Sequence, residues 1–421
     1  MGETCGNKSQ MAGKIRLMTE FCSHSSLGPE ARIVKQQDVH LWEVSQAYHE
    51  LIAYINTVST TIQGLRLNDG FPVSPAITRL AGIFDQLEAM IHNNPPIMVD
   101  NAASFASSIE QGNKAYRRWA RSMLRGIYPM VEKAVPASKC QYVNELGQYL
   151  SGSFGNSTRI DYGTGHELSF LFFMCSLFRA QILQEEDVAA SALLIFARYL
   201  KFVRRLQVIY TMESAGSHGA YSLDTFQFMP FLWGVAQLSY EAPFSPRQML
   251  DADVMTRYRS EYLLIGSIGH VADTKMGTFA MHSCQLWSLA ALSSWAKIYR
   301  SLLFMYLDEV LAHFEIMQHI RFGKLMPFSE AAEGRQMEHA RLGVMSPLRR
   351  RQLELKLEEE RRQQAPDQAP PKKPAPKFAP PSPDFEDSES ILSAGTTNTS
   401  LTDASVHLRS PSKDDVADKH L

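Results

Sequence analysis

The chain has 421 residues, of which 45% are hydrophobic and 20% are charged, and its formal net charge is −2. This composition fits one large or two modest globular domains with tails. The balanced charge excludes a global field that would select nucleic acid or an acidic membrane. The five cysteines lack CxxC spacing, which argues against a disulfide framework or a zinc site. Reduced thiols predict a cytoplasmic location and also permit a nuclear one.

Residues 1–37 are predicted to be a flexible N-terminal extension, because glycine, serine and polar residues dominate and no long periodic segment occurs. We expect no signal peptide there, since an apolar core is absent. The longest apolar run of the chain, Leu168–Phe178, is too short for a membrane span, which needs about 20 residues.

Residues 38–330 are predicted to form a single all-α domain of many helices, with a groove between subdomains. Strand-like alternation is nearly absent, and no βαβ rhythm appears. The run from Glu186 to Met212 shows the helical pattern best. Its apolar residues recur every three or four positions, while most of its basic residues fall elsewhere on the helical wheel. Helix pairs should be joined by loops that contain glycine or proline.

The segment Phe154–Glu167, FGNSTRIDYGTGHE, is the most informative part of the chain. Thr164 and Glu167 have the spacing of a capping box, which predicts Thr164 as the N-cap and Gly165 as the first helical residue. A helix start exposes unpaired N–H groups and the positive end of the dipole, and Arg159 adds a cation just upstream. These features favour an anion or phosphate site.

The same residues also fit a capped helix after an ordinary loop, with Arg159 in a surface ion pair, and both interpretations stay open at this point. His166 and Glu167 do not form a zinc-protease motif, because the second histidine of HExxH is missing. No GxxxxGK[ST] loop occurs, so a conventional P-loop NTPase is excluded. A kinase motif set and a GxSxG elbow are absent from the sequence as well.

A second loop, Gly216–Phe228, has two interpretations. Asp224 and Gln227 have capping-box-like spacing, which predicts another helix start. The functional interpretation is that loop carbonyls and Asp224 help to hold a hydrated Mg²⁺ beside phosphates.

Two apolar segments are candidate walls of a groove for a partner. The proline inside FQFMPFLW predicts a kinked core helix for most of that segment. Methionine and aromatic residues around a glycine turn in KMGTFAMHSCQLW favour an adaptable apolar surface, although core packing fits this pattern equally well. The groove residues are Phe226, Pro230 and Trp233 in the first segment and Met276, Gly277, Phe279 and Trp287 in the second.

Residues 331–364 are predicted to be a charged linker, within which Leu348–Gln364 favours helix through acidic and basic residues at i,i+4 spacing. Residues 365–421 begin with the Pro- and Lys-rich stretch Ala365–Asp384, which should be extended and polyproline-like. The rest is rich in Ser, Thr and Asp, so we expect a disordered tail. PxxP spacing would permit docking to an aromatic-lined groove, but most such tails are plain spacers.

Four blocks of this sequence resemble the phosphotyrosyl phosphatase activator family, the activators of protein phosphatase type 2A. The blocks follow each other in the order and spacing of the family, and the resemblance covers roughly residues 38–328. They are Phe154–Glu167, Met212–Leu238, Asp273–Tyr306 and Gln318–Phe328.

The resemblance implies a composite site for ATP with an associated Mg²⁺. Many relatives have a second aspartate where this chain has Thr225, and that change removes one anionic oxygen ligand. Arg321 stands where relatives often have lysine. The implied nucleotide-binding residues are Arg159, Thr164, Gly165, Gln318, Arg321 and Phe322, and the implied metal-site residues are Gly219, Asp224 and Thr225.

The resemblance also implies two linked activities: activation of protein phosphatase 2A through its catalytic subunit, in complex with its scaffold, and peptidyl-prolyl cis-trans isomerisation. The uncatalysed isomerisation barrier is about 18–20 kcal/mol. An isomerase has to bind the twisted amide better than the planar one and needs no nucleophile. The sequence therefore singles out no catalytic residue.

Two alternatives remain beside the isomerase. One is an ATP- and Mg²⁺-dependent activating chaperone of the phosphatase, in which isomerisation is incidental. The other is a helical adaptor without catalysis, whose partner the Pro-rich tail selects.

Overall fold

A computed structural model describes residues 28–95, 105–216, 223–224, 226–332, 334 and 339–364. The chain divides at Gln364 into two units. The second unit, residues 365–421, lies outside the described residues, and so do residues 1–27 of the first unit. The predicted all-α class is confirmed, because helices dominate the described part and each of its strands has only two residues. Among the described residues, no helix combines the length and apolar character that crossing a membrane requires.

The first half of the domain contains eight α-helical segments within the described residues, some of them short. They are α1 (Asp38–Glu43), α2 (Gln46–Thr61), α3 (Pro75–Asn93), α4 (Phe105–Ala134), α5 (Val143–Gly152), α6 (Thr164–Arg179), α7 (Val188–Ala190) and α8 (Ala197–Ile209). A π-helical segment, Ser191–Phe196, joins α7 to α8, and 3₁₀ turns occupy Ala137–Tyr142 and Glu185–Asp187.

The second half contains shorter helices with more connections between them. They are α9 (Met229–Gln237), α10 (Ala252–Tyr258), α11 (Leu263–Thr274), α12 (Phe279–His282), α13 (Cys284–Ala290), α14 (Trp295–Tyr306), α15 (Phe314–Met317) and α16 (Pro347–Gln364). A 3₁₀ turn occupies Pro246–Leu250, and the π-helical segment Leu307–Leu311 extends α14.

The core is built around α6, whose side chains from Phe170 to Leu177 are all buried. A helix that is apolar on every side must be surrounded by other elements, and α2, α5 and α15 pack against it. The ring of Phe170 stacks on Tyr199 of α8 with centroids 3.7 Å apart. The start of α6 is therefore fixed in position by the centre of the domain.

The N-terminal boundary of the domain lies before Asp38, so the prediction that residues 1–37 form a flexible extension was wrong for residues 28–37. Strand β1 (Glu30–Ala31) pairs antiparallel with β4 (Arg321–Phe322), and the side chain of Ile33 is only 1% exposed. The pairing depends on a contact across almost 300 residues, which local sequence patterns do not reveal.

The helix predicted over Leu348–Gln364 is present as α16. The chain before it is attached to the body, because the Gln63 carboxamide accepts a hydrogen bond from the N–H of Gly343 at 2.8 Å and donates one to the carbonyl of Arg341. Ser346 is fully buried. Residues 339–346 are therefore part of the compact unit, which corrects their assignment to a linker.

Candidate functional site

A cavity of about 740 Å³ lies where the start of α6 meets the loop before it and the turn around α15. Its size is typical of small-molecule sites. The residues that line it are Gly152, Gly155, Asn156, Arg159, Asp161, Thr164, Gly165, His166, Ser169, Ala215, Gly216, His313, Glu315, Ile316, Gln318 and His319.

Hydrogen bonds from the side chain of Asn156 fix the backbone of the loop before α6. The side-chain oxygen of Asn156 accepts hydrogen bonds from the N–H groups of Thr158 and Arg159 at 2.8 and 3.0 Å. Ile160 has φ +58, a left-handed conformation that is rare for a β-branched residue. Such backbone strain is maintained only when surrounding contacts fix it, and it is common at functional sites.

Gly155 is required by the close packing under this loop. Its φ is +105, and a Cβ there would lie 2.7 Å from the Tyr116 hydroxyl and 2.8 Å from the carbonyl of Asp161. Strand β2 (Asp161–Tyr162) then pairs parallel with β3 (Glu213–Ser214). The loop therefore has little freedom, and the side chains that it presents to the cavity are preorganised.

Arg159, Asp161 and His166 form a charged group on the cavity wall. The Nε of Arg159 donates to Asp161 Oδ2 at 2.5 Å, and His166 Nδ1 lies 2.8 Å from the carbonyl of Gly152. Burial opposes ionisation of Asp161, but His166 and Arg159 outweigh it, so the pKa of Asp161 lies below its ordinary value. Burial and the charges of Arg159 and His166 lower the pKa of His319, which also lines the cavity.

Helix α6 begins one residue earlier than predicted. Gly163 is the N-cap without a side-chain cap, and Thr164 is the first helical residue, so the prediction that Thr164 is the N-cap was wrong. A side chain at Gly163 would meet the carbonyl of Ala215 at 2.9 Å, which explains why a glycine takes the N-cap position. Thr164 and Gly165 of this first turn line the cavity, and the first N–H groups of a helix have no acceptor within it.

Glu167 caps a different helix from the one predicted. Its Oε2 accepts hydrogen bonds from the N–H groups of Phe228 and Met229 at 2.9 and 3.0 Å, at the start of α9. Burial raises the pKa of Glu167 to about 7, although the hydrogen bonds from these two N–H groups act to lower it. Burial likewise lowers the pKa of Arg204 to about 10, opposed by Asp224 and Glu167. These hydrogen bonds therefore join the segments Phe154–Glu167 and Met212–Leu238 in the interior of the domain.

The structure brings together four of the six predicted nucleotide-binding residues. Arg159, Thr164, Gly165 and Gln318 line the cavity, although they come from segments about 150 residues apart. The pairing of Arg159 with Asp161 also realises the ion-pair interpretation of Arg159. His319, which the prediction missed, lines the cavity as well; its position next to Gln318 was the available signal.

The other two predicted residues, Arg321 and Phe322, do not line the cavity. Both lie in β4, where Arg321 is exposed. Phe322 is 4% exposed and packs with its ring centroid 5.5 Å from that of Trp42. The side chain of Phe322 is therefore part of the core, and its role in binding a nucleotide stays a prediction.

The predicted metal site is described only in part. Gly219 and Thr225 lie outside the described residues, and Asp224 is 8% exposed. Within the described ranges, no three His, Cys, Asp or Glu side chains come together in a way that could hold a metal ion. The Mg²⁺ site stays a prediction.

The first predicted groove segment belongs mainly to the core. Trp233 has no exposed surface and packs edge-on against Phe196, and Pro230 is buried in the first turn of α9. A proline in the first turn needs no N–H and produces no kink. The predictions of Pro230 and Trp233 as groove walls, and of a kinked helix, were therefore wrong. Phe226 is half-buried, beside the ring of Tyr162.

The second groove segment projects from the surface. The exposed fraction of the side chain is 97% for Met276, 77% for Met281 and 54% for Trp287. The alternative that these three residues belong to the core is therefore contradicted. Gly277 has φ +103 with open space around it, and Phe279 is half-buried. We call the three exposed residues Met276, Met281 and Trp287 the apolar surface.

Glu145 is a residue that sequence reasoning missed. Its buried carboxylate accepts hydrogen bonds from the N–H groups of Lys324, Leu325 and Met326 at 2.9–3.3 Å. A side chain at Gly323 would lie 2.5 Å from that carboxylate. The turn after β4 is therefore fixed to α5 by one side chain, and a lone Glu in the sequence gives no sign of such a role.

The chain matches the family model described as "Phosphotyrosyl phosphate activator (PTPA) protein" over residues 29–328. It is 46% identical over 310 residues to the serine/threonine-protein phosphatase 2A activator of Drosophila melanogaster, covering 74% of this chain and 76% of the relative. It is 34% identical over 309 residues to the probable serine/threonine-protein phosphatase 2A activator 1 of Dictyostelium discoideum, covering 73% and 92% of the two chains.

A solved structure is similar as well. The crystal structure of the PP2A phosphatase activator Ypa1 superposes with a TM-score of 0.65 at 28% sequence identity, covering 73% of this chain and 97% of that one. The range matched by the family model contains the cavity, the apolar surface and both buried carboxylates, Glu145 and Glu167.

Proposed function

The chain belongs to the phosphotyrosyl phosphatase activator family, and from this premise we propose that it activates protein phosphatase 2A by acting on the catalytic subunit. The names of its relatives in Drosophila and Dictyostelium support this proposal. The observation that carries it is the cavity, where Arg159 and the first turn of α6 meet Gln318 from a distant block.

The cavity fits a nucleotide such as ATP. Arg159 supplies a planar set of N–H donors suited to phosphate oxygens, and the start of α6 adds backbone N–H groups and a positive dipole end. Asp161 lines the cavity, and its buried Oδ1 lacks a hydrogen-bond partner among the described residues. A small turn of the side chain would let this oxygen accept a donor from a ligand. Bound ATP would supply the negative charge that associates with Mg²⁺. Asp224, the described residue of the predicted metal site, is buried and does not line the cavity.

The apolar surface fits the second activity of the proposal, peptidyl-prolyl cis-trans isomerisation. Met276, Met281 and Trp287 offer flexible and aromatic side chains that can cover a proline and remove water from the adjacent amide. Removing water from the amide disfavours its planar, charge-separated form relative to the twisted one, which lowers the barrier. No covalent step is required, in keeping with the lack of a nucleophile motif in the sequence.

The proposal is tested by the reactivation of inactive protein phosphatase 2A with the purified full chain, with and without ATP and Mg²⁺. We expect reactivation that requires the nucleotide and falls at least tenfold in Arg159→Ala. Isomerisation of a proline-containing peptide is measured on the same samples. No reactivation by the unmodified chain under any condition would refute the function.

The two assays also separate the alternatives. Loss of reactivation alone in Arg159→Ala supports the activating chaperone with incidental isomerase activity. Loss of both reactivation and isomerisation in a variant of the apolar surface supports isomerisation as the activating step. A chain without residues 365–421 that no longer binds the phosphatase would instead favour the adaptor.

A further inference from the structure

Asp161 lines the cavity, and its side chain is only 10% exposed, yet its two carboxylate oxygens differ in their surroundings. Oδ2 accepts the hydrogen bond from Arg159 Nε at 2.5 Å. Oδ1 is buried and has no hydrogen-bond partner among the described residues. Leaving a buried charged acceptor unsatisfied is costly. The oxygen is therefore an acceptor for which the neighbouring side chains provide no donor.

His166 is a candidate donor beside Asp161, but its geometry does not give a hydrogen bond to Oδ1. Its Nδ1 lies 2.8 Å from the carbonyl of Gly152, which can only accept, so Nδ1 carries the hydrogen. Nε2 lies 3.9 Å from Asp161 Oδ1, which is too long for a hydrogen bond.

Asp161 also fixes the direction of the Arg159 guanidinium. Because Asp161 engages Nε, the two terminal amino groups of Arg159 are left for an anion in the cavity, and the side chain is 47% exposed. The left-handed Ile160 between the two residues sets their relative placement. One carboxylate thus orients the cation and holds a second, buried acceptor oxygen next to it.

We propose that Asp161 is a specificity-determining residue of the cavity, which selects an anion that also carries a hydrogen-bond donor over a plain polyphosphate. This inference rests on the proposed nucleotide cavity and adds how that cavity distinguishes its ligand. In a nucleotide the donor is either a sugar hydroxyl or an amino group of the base. Arg159 binds the phosphate, and Asp161 Oδ1 accepts from the donor.

The test compares the binding of ATP and of inorganic tripolyphosphate to the full chain by calorimetry. In Asp161→Asn, an amide N–H₂ replaces the free acceptor, so ATP should bind about ten- to hundredfold more weakly, the cost of a lost hydrogen bond to a charged group. Tripolyphosphate should bind equally or more tightly, because a negative charge has been removed. Asp161→Glu keeps the charge but displaces the oxygens, and should weaken ATP without strengthening tripolyphosphate.

Glu315→Gln is the matched control, since it removes another carboxylate from the same cavity without touching Arg159. It should change the affinities for both anions by the same factor. A parallel change for both anions in Asp161→Asn would overturn the inference and leave the nucleotide cavity standing. Failure of ATP to bind the unmodified chain would overturn the cavity and the inference together.

Two analogues locate the donor. Inosine triphosphate lacks the amino group of adenine, and 2′,3′-dideoxy-ATP lacks the sugar hydroxyls. The analogue without the recognised donor should bind the unmodified chain more weakly and should lose no further affinity in Asp161→Asn. If both analogues bind as ATP does and respond equally to the substitution, Asp161 recognises no donor.

Discussion

The cavity and the apolar surface lie in the same helical unit but are built in opposite ways. The cavity wall is tied to the interior by hydrogen bonds of Asn156 and by the buried carboxylate of Glu167. At the apolar surface, Met276 is almost fully exposed beside a glycine with open space around it. The cavity is preorganised for a small charged ligand, whereas the apolar surface can adapt to a peptide. Substitutions of residues that hold buried turns and helix starts in place should therefore lower stability, whereas substitutions at the apolar surface should affect binding alone.

The largest effect is expected from the buried carboxylate that fixes the turn after β4. Glu145→Ala leaves the N–H groups of Lys324, Leu325 and Met326 without their acceptor, so the free energy of unfolding should fall by about 3 kcal/mol or more. Urea unfolding measures this. Glu315→Ala, which removes an exposed carboxylate, should change it by less than about 0.5 kcal/mol. A loss below about 1 kcal/mol for Glu145→Ala would contradict the anchoring role.

A loss of stability that depends on pH is expected from Glu167. Its folded pKa of about 7 exceeds the ordinary 4.5, so the folded state holds the proton more tightly and stability falls as the pH rises from about 4.5 to 7. The decline attributable to this group is up to about 3 kcal/mol, since one pKa unit corresponds to about 1.4 kcal/mol.

Glu167→Gln, which cannot ionise, should remove that part of the pH dependence. The comparison is made by urea unfolding of both proteins at several pH values. Parallel stability profiles of the two proteins would show that Glu167 is already ionised throughout this range.

A smaller effect on stability, with a large effect on binding, is expected at the apolar surface. Replacing Met276, Met281 and Trp287 by serine should leave the free energy of unfolding within about 1 kcal/mol, because the side chains are mostly exposed. Isomerisation of a proline peptide should fall at least tenfold. Phe304→Ser is the control, since Phe304 is 70% exposed elsewhere on the surface. Equal losses in both variants would remove any special role of this surface.

The smallest effect is expected from removing residues 365–421, because the family match ends at residue 328 and the compact unit ends at Gln364. Both the unfolding free energy and the reactivation of phosphatase should remain within twofold of the values for the full chain. A loss of reactivation in the truncated chain, with its stability intact, would move partner selection to the Pro-rich segment.

Local patterns predicted the helices and the cavity loop because helix periodicity and the glycine motif are encoded in adjacent residues. Helix α16, for example, follows directly from charge spacing. The errors arose where distant contacts decide. The Phe322 side chain is buried because Trp42 packs against it. Glu167 caps α9 because the fold places the N–H groups of Phe228 and Met229 beside its carboxylate.

The groove residues illustrate the same limit. Trp233 and Met276 both lie in apolar segments, yet one is fully buried and the other is almost fully exposed. Composition does not distinguish a core helix from an exposed turn when both contain methionine and aromatic residues. Only the packing of α9 against α2, α11 and α14 decides it.

The most direct test of the account is the binding of ATP to the full chain and to two arginine variants, measured by calorimetry. Arg159 lines the cavity, whereas Arg321 lies in β4 outside it. The account predicts that Arg159→Ala weakens ATP binding at least tenfold and that Arg321→Ala binds as the unmodified chain does. The reverse order, or equal binding by all three proteins, would contradict it.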